Sequence, residues 1–187
     1  MALLRPEVRT ALSDGRSVVV RSATPHDARA VGRLLDEVAA EPGSGLLMLP
    51  GEISRREWRK RIGEHLHDPD TLYLLAEVDG QPAGCLGLHR DPARRTSHVR
   101  QMGVSVAAPL RRVGLGDLLV ATALDWARVH GVVKVELGLF AHNAAARALY
   151  EKHGFAVEGL RRAHYLRRGE YFDEVIMACF LADEGRP

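Results

Sequence analysis

The chain has 187 residues, which suits one domain and allows a sizeable core. Hydrophobic residues make up 46% and charged residues 27%, which excludes a disordered chain, and no apolar run is long enough to span a bilayer. A net charge of only +2 gives no bulk electrostatic pull toward nucleic acid. The start, Met1-Ala2-Leu3-Leu4-Arg5, becomes charged too soon for a secretory signal. Cys85 and Cys179 sit in apolar runs without metal-ligand spacing, so they read as buried reduced thiols of a cytoplasmic protein, with no metal.

In chain order, Ser17–Ser22 is rich in valine and alternates weakly, as a strand does. Pro25 opens a helix to about residue 40, with Thr24 as N-cap and Asp27 where a capping box usually has Glu. Ala28, Val31, Leu34, Leu35 and Val38 recur there at helical spacing. Residues 41–51 hold Pro42, Gly43, Gly45, Pro50 and Gly51 and form a loop, apolar enough to serve as a mobile cover. Ser54, with Glu57 in its box position, caps a second helix to about residue 67. Leu72–Val78 and 83–89 form a hairpin through Asp79-Gly80. A strand over 98–106 and a helix over 115–130 follow, the helix with a core stripe of Leu115, Leu118, Leu119, Ala123, Trp126 and Val129. Lys134–Phe140 is a further strand, and 163–181 reads as two strands turning at Arg168-Gly169. No repeat or linker interrupts the series, so a single domain over 1–187 is expected.

The junction between the strand over 98–106 and the next helix carries the chemistry. The turn Ala107-Ala108-Pro109-Leu110 leads into Arg111-Arg112-Val113-Gly114-Leu115-Gly116. The first N–H groups of a helix lack internal partners and attract anions, glycines let an anion approach the backbone, and arginines add positive charge. Plain turn chemistry would also explain the glycines. A P-loop is excluded because Asp117 and Leu118 follow Gly116, and a Rossmann fingerprint because Leu119 stands where its third glycine belongs.

The pattern Arg111-x-x-Gly114-x-Gly116 resembles that of the GNAT superfamily of acyl-CoA-dependent N-acetyltransferases. The resemblance continues through Asn143-Ala144-Ala145-Ala146-Arg147-Ala148-Leu149-Tyr150-Glu151-Lys152-His153-Gly154-Phe155 and covers 72–181. The tail, with Glu158-Gly159 and Gly169-Glu170-Tyr171-Phe172-Asp173-Glu174, is similar to the branch of ribosomal-protein, polyamine and amino-acid acetyltransferases. It implies an α/β GNAT fold, a mixed central sheet of about six to seven strands flanked by helices on both faces.

The resemblance also implies roles. Acetyl-CoA is the cosubstrate and a primary amine, of a small molecule or a protein N-terminus, attacks its thioester directly. Arg111, Arg112, Val113, Gly114, Leu115 and Gly116 would hold the pyrophosphate. Met102, Val104, Ser105 and Val106 would line the pantetheine arm as an added strand would, with the N–H near Val104 as oxyanion donor. Asn143 and Ala146 would touch the same arm, although Asn143 also suits a helix N-cap. Tyr150 is the candidate general acid, its phenol of unperturbed pKa ~10 donating to the leaving thiolate; packing beside Leu149 and Phe155 would equally explain an aromatic there.

The general base departs from the family pattern. Relatives in this branch carry Glu two residues before a glycine, and here Gln101 precedes Met102-Gly103. An amide accepts no proton near neutral pH, which leaves His98 or His89, a water chain to Glu77 or Glu136, or an amine of low pKa. The candidate catalytic residues are therefore Tyr150, Gln101 and His98. Gln101 also admits an alternative, an acyl-CoA-binding sensor or partner-binding module with weak or no catalysis. Arg90, Arg94, Arg95 and Arg100, and then Arg161, Arg162, Arg167 and Arg168, read either as solvated hairpin ends or as a basic rim. A homodimer is compatible with the sequence.

Overall fold

The computed structural model describes residues 6–90 and 93–181, and of Arg94 the backbone alone. Twelve regular elements follow one another: β1 Glu7–Ala11, β2 Ser17–Ser22, α1 Ala28–Ala40, α2 Arg55–His67, β3 Leu72–Val78, β4 Gln81–Arg90, β5 Val99–Val106, α3 Leu115–Val129, β6 Lys134–Phe140, α4 Ala144–Lys152, β7 Ala156–Arg167 and β8 Glu170–Phe180. The strands form one sheet in the order β1-β2-β3-β4-β5-β6-β8-β7, antiparallel everywhere except between β5 and β6.

The sheet has 8 strands, one more than the upper expectation. The extra strand is β1. Its sequence Glu-Val-Arg-Thr-Ala is polar and mostly exposed, because an edge strand buries only one side and leaves no clean alternation. β7 starts at Ala156 rather than at 163 for a similar reason. Most of its residues are exposed, and its register with β8 shifts between Val157 and Gly159 and between Arg161 and Tyr165, where Ala163 takes φ 49°.

Helices cover both faces. On one, Val31, Leu34, Leu35 and Val38 of α1 and Trp58 and Ile62 of α2 bury against Leu75 and Cys85 of the sheet. On the other, α3 packs Leu115, Leu119, Val120 and Ala123 onto Leu86, Leu88, Met102 and Val135. Removing each such side chain from water stabilises the fold by roughly 1.5–3 kcal/mol. Val129 corrects the expected α3 stripe, being 68% exposed. The buried arc is centred on Leu119 and Ala123, so Leu118 and Val129 fall at its margin. Both cysteines are free and buried. Among the described residues, no helix is long and apolar enough to cross a membrane.

The entry to α1 is a 3-10 turn, Pro25–Asp27, rather than regular α-helix. Asp27 still works as the box residue: its carboxylate accepts from the Thr24 N–H at 2.7 Å and the Thr24 hydroxyl at 2.9 Å. Arg21 donates to both Asp27 oxygens at 2.9 Å and also pairs with Glu77 at 3.1 Å. Burial raises the Asp27 pKa, but the Arg21 and Thr24 donors outweigh it and bring the value from 3.8 down to about 2. A depressed carboxylate stabilises the fold above its unfolded pKa, and that contribution fades as pH falls through the folded one. Asp27→Asn is expected to cost ~1–3 kcal/mol at pH 7 in urea unfolding, with the deficit shrinking between about pH 4 and pH 2. A deficit that does not change with pH would contradict the ionic origin.

Candidate active site

The parallel contact between β5 and β6 lasts three residue pairs, Val99 with Lys134, Arg100 with Val135 and Gln101 with Glu136. Beyond Gln101, β5 stays paired to β4 up to Val106, and β6 stays paired to β8 up to Phe140. The two strands therefore diverge, and the edges of 102–106 and 137–140 face each other across a wedge. Those edges carry backbone donors and acceptors without strand partners, which is costly in a sheet centre unless a ligand or water satisfies them. An extended chain with amide groups fits such an opening as an inserted strand would.

Strand alternation sorts the side chains around the wedge. Met102, Val104 and Val106 point toward α3 and its core, as do Val135, Leu137 and Leu139 of β6. Gln101, Gly103, Ser105, Glu136 and Gly138 consequently occupy the opposite face, the one covered by α1 and α2. At the apex lies a recess of about 90 Å³ lined by Gln101, Glu136, Leu137, Gly138, Arg161, Glu174 and Ile176. The Gln101 side-chain amide donates to Glu136 at 3.4 Å. Lys134 approaches the other Glu136 oxygen at 3.2 Å and also pairs with Glu158 at 2.7 Å.

Glu174 is buried at the far wall of this recess. It accepts from the Tyr165 hydroxyl and from Arg161 at 2.9 Å, and His164 lies 3.4 Å away. Gly138 makes room for it: a Cβ there would run into the carboxylate, with its Cδ only 2.8 Å away. Sequence reasoning missed this group. In the sequence Glu174 stands only in the tail pattern and Arg161 only in a basic cluster. The legible signal was Glu174 keeping step with Ile176 and Ala178 on the face away from Val175, Met177 and Cys179.

The glycine loop closes the open end of the wedge. Gly114 is the N-cap of α3 with φ 92°, a left-handed conformation that only glycine adopts without strain. Beyond it the first-turn N–H groups of α3 have no intrahelical partners. Gly116 has a different reason: a Cβ there would stand 3.2 Å from the Leu149 side chain, so its absence lets α3 approach α4. Arg111 and Arg112 are both exposed, and Arg111 donates to the Val106 carbonyl at 3.0 Å and pairs with Glu41 at 2.7 Å. Asp117 in the first turn is balanced by Lys152 at 2.7 Å and His153 at 2.9 Å.

Asn143 precedes α4 as its N-cap, and Tyr150 lies within it. The Asn143 side chain accepts from the Ala146 N–H at 3.1 Å, which caps the helix. Tyr150 is buried with its ring 5.7 Å from that of Phe155, and burial pushes its pKa up to about 12. Its proton stays in place at neutral pH. The segment 41–46 lies over this end of the wedge. Arg167 of β7 holds it through the Glu41 carbonyl at 3.0 Å and the Ser44 carbonyl at 2.7 Å, and Arg111 holds the Glu41 carboxylate.

The remaining candidates sit elsewhere. His98 is exposed at the closed end, before the paired segment, where its carbonyl accepts from Val133 and Lys134. Glu77 belongs to the Arg21 network on β3. His89 faces the α1/α2 side next to Gln101 in register, but its ring folds back over Gly87 and packs 4.7 Å from that of His65. Burial, and then His65 and Arg61, push its pKa down to about 4, so it is neutral at pH 7. Arg100 is no part of a basic rim: it is 4% exposed and bonded to Asp70 and to the Ser97 and Val99 carbonyls. Trp58 and Trp126 are core residues.

Known proteins place this architecture. The profile of the acetyltransferase (GNAT) family matches residues 36–155. An L-amino acid N-acetyltransferase of Escherichia coli (strain K12) is 30% identical over 165 residues, covering 86% of this chain and 96% of that protein. A ribosomal-protein-alanine N-acetyltransferase from Brucella melitensis superposes with a TM-score of 0.78 at 25% identity, over 87% of this chain and 99% of the other. A phosphinothricin acetyltransferase from Sinorhizobium meliloti, solved with acetyl-CoA, superposes with a TM-score of 0.79 at 18% identity, over 91% of this chain and 92% of the other. The chain belongs to the GNAT acetyltransferase family and is an N-acetyltransferase.

Proposed function

We propose that the wedge between β5 and β6 receives the pantetheine arm of acetyl-CoA and that a small primary amine enters from the α1/α2 face. The observation that carries this is the pair of strand edges, 102–106 and 137–140, that have no β5–β6 pairing and open beside the N-terminal turn of α3. Acetyl-CoA supplies the acyl group as a thioester. The backbone of 112–116 offers its N–H groups to the pyrophosphate, the Arg111 N–H being bonded to the Ala108 carbonyl. Met102, Val104, Ser105 and Val106 present a strand edge to the arm, and the Val104 N–H is the oxyanion donor. Asn143 and Ala146 bound the arm from α4.

In this reading Glu136 replaces the glutamate missing at 101. Strand pairing sets Gln101 and Glu136 side by side on one face, so the carboxylate reaches the same space from the neighbouring strand. Its charge attracts the acceptor as an ammonium ion, and it takes up the proton the amine must lose before attack, directly or through water. Gln101 orients it. Tyr150 gives its hydroxyl proton to the departing sulfur. The base role that His98 could fill thus passes to Glu136, and the reason for a sensor reading, an amide at 101, is met by its neighbour. Two free buried cysteines support a cytoplasmic setting, and the single sheet supports one domain.

The test is calorimetry with acetyl-CoA on wild type and Gly114→Glu, followed by an amine scan for CoA release. Micromolar binding is expected, weakened ~100-fold or more in the variant, where a carboxylate and a β-carbon occupy a left-handed anion site. Unchanged binding in a folded variant would move the phosphate site away from this loop.

A further inference from the structure

Arg111 stands where the acyl donor must pass, granted that the wedge and the turn before α3 receive acetyl-CoA. Its Nε donates to the Val106 carbonyl at 3.0 Å, and its Nη1 and Nη2 meet the two Glu41 oxygens at 2.7 and 2.9 Å. The Val106 carbonyl belongs to the wedge. The Ala107 N–H bonds the Ala83 carbonyl at 2.9 Å, so residues 105 and 107 turn their backbone groups to β4 and Val106 turns its own the other way. One guanidinium thus covers the last carbonyl of the β5 edge, flanks the phosphate turn and pins Glu41, the C-cap of α1. We infer that Arg111 and Glu41 form a latch: acetyl-CoA takes the Val106 carbonyl with an amide of its arm and the guanidinium with its pyrophosphate, and so releases segment 41–46.

The two arrangements compete for the same donors. The bidentate pair with Glu41 and the bond to Val106 engage all three guanidinium nitrogens, so a phosphate that takes the face of the fork displaces Glu41. The pair is half open to water, its side chains 43% and 26% exposed, and such pairs are weak. A pyrophosphate brings more negative charge than one carboxylate. The segment is built to respond. Its other tie, Arg167, holds only the carbonyls of Glu41 and Ser44, and Gly43 and Gly45 leave the chain between them free to pivot. Leu46 and Met48 pack only in part against the α1/α2 core, and Leu47 and Leu49 are exposed. A Cβ at Gly45 would stand 3.5 Å from the Asn143 side-chain amide, so the segment passes directly over the cap of α4. The latch therefore couples the cofactor turn to the cover on the α1/α2 face, from which the amine enters.

Linkage makes the latch measurable, because a contact that acetyl-CoA must break opposes its binding. Glu41→Gln keeps the shape at 41 and removes the charge. By calorimetry, acetyl-CoA is expected to bind ~5–20-fold more tightly to this variant than to wild type. Hydrogen exchange of the peptide 41–51, read by mass spectrometry, follows the release without a substitution. Acetyl-CoA should speed that exchange by about fivefold or more in wild type, whereas Glu41→Gln should exchange fast with or without it. An ion pair that only stabilises the loop predicts the opposite, unchanged affinity and slower exchange once ligand is bound. Equal or weaker binding in a folded Glu41→Gln, or wild-type exchange that acetyl-CoA slows or leaves unchanged, would overturn the latch. The wedge reading would then still stand on Gly114-dependent binding. Wild type that binds no acetyl-CoA would remove that reading and the latch with it.

Discussion

Replacing Glu136 with Gln is expected to lower kcat by ~10²–10³-fold while acetyl-CoA affinity changes by less than about twofold. The acceptor arrives as an ammonium ion and is nucleophilic only once a proton has left it. Gln keeps the shape at 136 but removes both the attracting charge and the proton acceptor. The defect should narrow as pH rises toward the pKa of the amine, because bulk solvent then supplies the free base. Register makes a stronger test available. Residues 101 and 136 are paired on the same face, so Gln101→Glu added to Glu136→Gln returns a carboxylate to the recess and should recover at least about tenfold of the lost activity. Gln101→Glu alone sets two carboxylates together, raising the pKa of one and moving the acid limb of the pH–rate profile upward. Steady-state CoA release from about pH 6 to pH 10 reads all three variants. A kcat for Glu136→Gln within about threefold of wild type would return the base to His89 or to solvent.

Tyr150→Phe is expected to reduce kcat by ~10–100-fold with little change in stability, since only the hydroxyl is removed and the ring contact with Phe155 remains. Burial pushes the Tyr150 pKa up to about 12, so the wild-type hydroxyl is protonated throughout the working range. Acetyl-CoA binding should be nearly unaffected, because the proton matters only as the carbon–sulfur bond breaks. Thermal unfolding measured beside kcat separates the two readings of this residue. A tyrosine that merely packs would keep both its melting temperature and its turnover as Phe, and that outcome would remove the acid role.

Much of the scaffold was legible in the sequence. Hydrophobic spacing marked α1 and α3, Ser54 with Glu57 marked the start of α2, and Asp79-Gly80 marked the β3–β4 turn. Each is a local rule acting within a few residues, and each survives in the structure. The specific order from Asn143 to Phe155 carried the family, because capping and helix packing in α4 use residues close together in the chain. Signals failed where burial was one-sided or broken. β1 and the first half of β7 are exposed, so no alternation announced them. Val129 kept the helical spacing yet lies at the margin of the buried arc, since spacing fixes a stripe but not which part of it the sheet covers.

The sequence by itself determined the class of protein, the turn with Gly114 at its helix start, and the conflict posed by Gln101. Only the tertiary structure decided which side chains stand around Gln101. The divergence of β5 from β6 after one short paired stretch, the carboxylate of Glu136 beside Gln101, and Glu174 with Arg161 facing the same recess unite residues up to 73 positions apart. Which side chains share a cavity depends on strand order and register across a sheet. Those are set by the summed burial of both faces, a quantity that no local stretch of sequence contains.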